Sequence, residues 1–322
     1  MPAATSISLI ISPCHVGIYN HRVGAGPLRI QSHSIVFTGA NCCSESTTTI
    51  SPVDEFEGEI GRSFEILRRI SNAVSAARSV NAFPIVLSGN CNASVGVAAG
   101  LGIDDLSFVW FDAHDDLDTP DTNVNGYIDA MGVSMLAGRS WRSLMATVPD
   151  LQRQTVTGAG VDVIWGKPGK HVDFSTELSG VLDKKAMGQT LSDLDLDCLD
   201  ELLGRVNEYP SPGGLLEGDV FKSMSLVPTK VQPVSLTVCS FNPNLGGGDR
   251  VAEIAIGGIC YFVESLLHLQ YIPCQRPGYN FARWAKFRVS FVIAAAPQMA
   301  DTHRKPFAGG GNKGGSGRVG FS

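Results

Sequence analysis

Seven short runs rich in β-branched and aromatic residues punctuate this chain: SISLIIS, HSIVFTGA, FPIVLSG, LSFVWFD, VDVIWG, QTLSDLDLD and VSLTVCSF. Most lack the polar–apolar alternation of a strand with one wet face, so they read as strands buried on both sides. Segments with helical spacing separate several of them. In residues 54–82, Phe56, Ile60, Phe64, Leu67, Ile70, Val74 and Ala77 recur every three or four positions, and Pro52 and Asp54 mark the start of a helix. Residues 251–267, VAEIAIGGICYFVESLL, predict a last amphipathic helix despite their paired glycines. Strands alternating with helices predict an α/β fold whose mostly parallel sheet is covered on both faces. Such sheets collect ligands beyond the carboxyl ends of their strands.

Bulk properties narrow the class. With 322 residues the chain can form one large or two ordinary domains. A net charge of −6 gives no electrostatic reason to bind nucleic acid or an anionic membrane. No run approaches the roughly 18 uninterrupted apolar residues of a membrane span. The start, MPAATSISLIISP, has no basic residues, which argues against a signal peptide. Eight scattered cysteines without a C-x-x-C pair predict reduced thiols and a cytoplasmic location.

Two acidic clusters carry the chemistry. FVWFDAHDDLDTP ends an apolar run in Asp112, His114, Asp115, Asp116 and Asp118; LSDLDLDCLDE contains Asp193, Asp195, Asp197 and Asp200. In an extended chain alternate residues share a face, so Asp112, His114 and Asp116 would project together, as would Asp195 and Asp197. Repulsion among such carboxylates is costly unless a cation neutralises it. One D-x-D is a common surface pattern. Two strands ending in D-x-H-x-D and D-x-D predict one shared pocket for Mn²⁺, Mg²⁺ or Zn²⁺, and bridging carboxylates would permit two ions.

These residues resemble the motifs of the arginase/agmatinase (ureohydrolase) family. WFDAHDDLDTP resembles its D-A-H-x-D-x-N-T-P, DLDLDCLDE its S-x-D-x-D-x-x-D-P, and PSPGGL at 210–215 its P-x-P-G-G-L turn. GAGPLRI at 24–30, LSGNCNASVG at 87–96 and SFNPNLGGGD at 240–249 stand where the family has G-x-x-x-G-P, G-G-D-H-S and E-x-N-P-x-x-D. The resemblance runs from about residue 7 to 267 and implies a three-layer α/β/α fold. It also implies a two-Mn²⁺ centre in which Asp112 and Asp195 bridge, His114 and Asp197 complete one ion, and Asp116 with Cys91 serves the other. In the family a hydroxide between the ions attacks a guanidinium or amidine carbon, and Asp116 would aim it. Homo-oligomers, trimeric or hexameric, are implied too.

Four departures bear on the substrate and metal. Cys91 replaces a histidine ligand and, being softer, opens the centre to Zn²⁺; the plainer alternative is a buried filler beside an empty site. Asp129 lies near the family's proton-transfer histidine and is a candidate catalytic acid, or simply a cap or loop residue. Ser240 stands in place of the glutamate that pairs with a guanidinium, a strong directional anchor. Asp118 and Asn125 sit where arginases hold the far end of their substrate, and wall residues are their plainer role. His15, His21 and His33 could line a pocket or be structural.

The expectation is therefore a hydrolase of non-peptide C–N bonds in linear amidines, dependent on two divalent cations. The alternatives are a hydrolase of another small amide or amidine lacking a guanidinium, and a degenerate homologue that binds a ligand or serves as an oligomer subunit. Residues 1–267 form the expected hydrolase domain. Residues 268–322 are an atypical tail, with 270–297 unassigned and the Gly-rich 309–322 expected to be disordered.

Overall fold

The computed structural model describes residues 3–33, 44–149 and 161–273. After β1 (Ser6–Ser12), a short hairpin of β2 (Cys14–His15) and β3 (Ile18–Tyr19) leads into α1 (Gly26–Ser32). Then come β4 (Ser44–Thr49), α2 (Gly58–Ser79), β5 (Ala82–Ser88), α3 (Ala93–Leu101) and β6 (Ser107–Phe111). Short helices α4 (Gly132–Leu136) and α5 (Arg142–Met145) follow, then α6 (Phe174–Leu182), β7 (Gln189–Asp195), α7 (Glu217–Lys230), β8 (Gln232–Cys239) and α8 (Gly248–His268).

Six strands form one sheet in the order β4-β1-β5-β8-β7-β6, each pair parallel. The α/β/α expectation is met. Alternate strand residues supply the two faces. Ile10, Val86, Leu191 and Val234 pack with α2 and α3 in one apolar cluster. On the other face Phe83 meets Phe262, and Gly258 of α8 lies against Leu194, Val220 and Met224. Full burial of a side chain such as Phe262 contributes about 2 kcal/mol. Helices α2 and α3 touch closely because Gly100 sits on α2: a Cβ there would lie 2.4 Å from the Ser71 carbonyl oxygen.

Four details depart from the sequence expectations. The helix expected over 54–82 starts only at Gly58, and Asp54 caps nothing there. Strand β4, SESTTT, has no counterpart among the expected strands; as an edge strand with exposed residues it carries no apolar signal. The run VDVIWG is no strand: residues 161–166 are irregular, and Val161, Val163 and Trp165 are exposed. β propensity without a neighbouring strand makes no ladder. Strand β6 is an edge rather than a doubly covered strand, so only Val109 of its five residues is buried.

The run HSIVFTGA lies, beyond His33, outside the described residues, as do 274–322 with the Gly-rich segment. Packing continues past Leu267. Tyr271 donates its hydroxyl to the Val231 carbonyl at 3.2 Å, its own carbonyl accepts the Ala4 N–H, and Ile272 is fully buried. Helix α8 is long and apolar enough to cross a membrane, but ten of its residues are buried in this fold.

Candidate metal centre

Four adjacent strands deliver the site at their carboxyl ends. Strand β5 passes through Asn90 and Cys91 into α3; β6 hands on Asp112 and His114; β7 ends on Asp195; β8 is followed by Ser240. Because these strands are neighbours, their ends converge on one cavity of about 460 Å³. Every residue singled out in the sequence as ligand, catalytic group or substrate contact lines it.

The convergence does not come from extended alternation. Asp112 Oδ1 accepts the His114 N–H at 2.7 Å, and Asp195 Oδ1 accepts the Asp197 N–H at 2.9 Å. Each leading aspartate thus folds the chain back on the amide two residues later, a turn aspartate favours. The two turns are tied together, since Ala113 N–H donates to Asp197 Oδ1 at 3.1 Å. Asn207 Nδ2 donates to Asp197 Oδ2 at 2.9 Å, and Trp110 Nε1 to Asp112 Oδ2 at 3.0 Å.

Two donor sets result, each with its ligand atoms within 4.8 Å of one another: Cys91, Asp112 and Asp195, and Asp112, His114 and Asp197. Asp112 belongs to both. Asp195 joins only the cysteine set, and Asp116 neither: its Oδ2 accepts from Cys91 Sγ at 2.9 Å. Asp116 and Ser240 both hold left-handed backbone, at φ 50° and 63°, a conformation non-glycine residues adopt at a cost when the surroundings fix it.

Burial pushes the carboxyls of Asp112, Asp116 and Asp195 up, and neighbouring carboxylates add to it. Asp197 moves down: burial pulls it upward, but its bond to His114 and that ring's charge outweigh the effect. His114 rises to about 11, held by Asp112 and Asp197, 3.4 and 3.3 Å from its Nδ1. Crowded carboxylates that gather around positive charge are a donor set a divalent cation fits.

The other predicted residues fall on the walls. Asp129 is buried and accepts from Asn90 Nδ2 and from Asn92 N–H at 3.2 Å, with Tyr127 Oη at 3.4 Å. Burial lifts its carboxyl to about 6 against those bonds. Ser240 donates its hydroxyl to Asp195 Oδ2. Asp118 accepts from Thr122 Oγ1 and Asn123 Nδ2, and Asn125 Oδ1 from Tyr127 N–H, so both shape their loop.

His15 stands behind the wall, buried against His21 and Tyr127, and His33 bonds Asp249 at the surface. Sequence reasoning missed Tyr127, Trp165, Asn207, Glu208 and Tyr209, all of which line the cavity. Glu208 accepts from Arg22 Nε and Asn242 Nδ2 at 2.9 and 3.0 Å. The only signal was an acidic–aromatic pair just before the proline–glycine turn.

Comparison with known proteins bears on the family and the fold. The sequence matches the arginase family over residues 5–263. An arginase of Bacillus subtilis (strain 168) is 32% identical over 221 residues, covering 62% of this chain and 73% of that protein. An arginase of Staphylococcus aureus (strain MRSA252) is 22% identical over 231 residues, 63% of this chain and 75% of that one. The crystal structure of arginase from Bacillus subtilis superposes with a TM-score of 0.65 at 19% identity, covering 80% of this chain and 98% of its own. A hypothetical agmatinase from Burkholderia thailandensis gives 0.62 at 13% identity, covering 83% and 86%. The α/β fold is thus shared with proteins named arginase and agmatinase. The chain belongs to the arginase family.

Proposed function

We propose that this protein is a metal-dependent hydrolase of non-peptide C–N bonds whose substrate is a linear amidine or a related small amide. The observation that carries the reading is the pair of donor sets sharing Asp112 on the floor of one cavity, in an arginase-family fold. Two divalent cations, one among Asp112, His114 and Asp197 and one among Cys91, Asp112 and Asp195, would supply Lewis acidity and an activated water.

The chain's own groups do the rest. Asn207, Trp110 and the Ala113 amide hold the donors through their hydrogen bonds to Asp197 and Asp112. Asp116, buried beside Cys91, accepts a hydrogen bond from the attacking water and aims it. Asp129, buried on the same cavity wall, gives the leaving nitrogen its proton. Ser240 offers no negative charge, and its hydroxyl is spent on Asp195, so L-arginine and agmatine are poor substrates. A homo-oligomer, trimeric or hexameric, belongs to the same reading and is checked by light scattering.

The test is release of urea or ammonia from a panel of guanidines, amidines and small amides, with Mn²⁺- or Zn²⁺-loaded protein and Asp112→Asn as control. Turnover of an amidine or amide, absent in the control, supports the hydrolase. Metal-loaded protein inert toward the whole panel supports a binding or subunit role instead.

A further inference from the structure

The two donor sets are not chemically equivalent. One contains a sulfur and is buried: Cys91 has 4% exposure, and its Sγ lies 2.9 Å from Asp116 Oδ2 and 3.3 Å from Asp129 Oδ1, within reach of Asp112 and Asp195. The other contains only oxygen and nitrogen and opens toward the cavity, with the His114 side chain 48% exposed. We propose that this centre is built for two unlike cations, a zinc-like ion at Cys91, Asp112 and Asp195 and a hard ion such as Mn²⁺ at Asp112, His114 and Asp197. The inference rests on the two-cation reading and adds which cation each position selects.

Softness and solvent access separate the two positions. Thiolate favours Zn²⁺ or Fe²⁺ over Mn²⁺ or Mg²⁺, whereas carboxylate and water suit the harder ions. Among so many carboxylates a thiolate needs a cation in contact. Binding there forms a metal–sulfur bond, breaks the S–H bond and sends the proton to solvent. The half-exposed position can keep water ligands, as Mn²⁺ and Mg²⁺ do. Cys239 is the competing sulfur: its Sγ is 3.6 Å from Asp195 Oδ2, yet it belongs to neither donor set.

Cobalt reports on the ligands directly. The full chain, stripped with a chelator, is titrated with Co²⁺ and followed by absorption. The expected result is two cobalt ions per chain and a thiolate-to-cobalt charge-transfer band in the near ultraviolet. Cys91→Ser should lose that band but still bind one cobalt, while Cys239→Ser keeps it. One equivalent each of Zn²⁺ and Mn²⁺ per chain should leave one of each on the wild-type chain, with zinc on the sulfur position, and Cys91→His should lower zinc-over-manganese selectivity by at least ~10-fold. Bound cobalt without the band, or a band that survives Cys91→Ser, overturns this inference alone. A chain that binds no cobalt overturns the two-cation reading with it.

Discussion

The site has two halves, and they differ in kind. The β6–β7 half brings Asp112, His114, Asp195 and Asp197, braced by the Ala113 amide and Asn207. The β5–β8 half brings Cys91 and Ser240, a thiol and a hydroxyl that each donate to a carboxylate of the site. The first half concentrates negative charge; the second answers it with neutral donors. In the proposed reading the β6–β7 half supplies the carboxylates common to the cation sites, while Cys91 and Ser240 of the other half set which cation and which substrate are taken.

The strongest challenge to this division is Asp112→Asn. One change removes the carboxylate common to both donor sets, and we expect loss of both ions and of activity, beyond ~100-fold, by metal analysis and turnover. Next, Asn207→Ala frees Asp197 and should weaken metal binding by roughly 10–100-fold, measured by competition with a chromophoric chelator. On the other half, Ser240→Ala deletes one hydrogen bond to Asp195 and should cost about tenfold or less in the same assay. If it cost as much as Asn207→Ala, the halves would not differ in this way.

The smallest effect concerns stability behind the β5 wall. Burial, with Arg22 and His21 beside it and Glu208 opposing them, lowers His15 to about 4. The folded chain thus keeps this ring neutral where the unfolded chain, near 6.5, takes up a proton. Its contribution to stability is complete above pH ~6.5 and is lost as pH falls toward about 4. His15→Gln should therefore show a urea midpoint that changes less than that of wild type between pH ~7.5 and pH ~5.

The parts legible in the sequence are those whose cause is local. Asp112 to Asp118 and Asp193 to Asp200 announce themselves because a strand end and its turn place several ligands within a few residues. The central strands are legible because cover on both faces demands apolar runs such as FPIVLS and SLTVC. Strand β4 was not, because its pairing with β1 is decided by a partner, and an edge tolerates Ser and Thr. The run 161–166 erred the opposite way, with strand-like residues and no partner. Asn207 and Tyr209 reach the site from a loop, and only the tertiary arrangement reveals them. The turn at Asp112 shows the same limit: its residues were legible, but their face was set by a backbone bond, not by strand periodicity.

The order of the sheet has a consequence for biogenesis. Cys91 and Asp112 follow strands that never pair with each other; β8 and β7 stand between them. A ribosome that has made everything through Asp116 has therefore produced both residues without the spacer that separates them. Only when Cys239 has emerged can the last inserted strand close the gap. The nascent chain thus carries its unmatched acids unassembled for more than a hundred residues of synthesis, roughly 6–25 s at typical elongation rates.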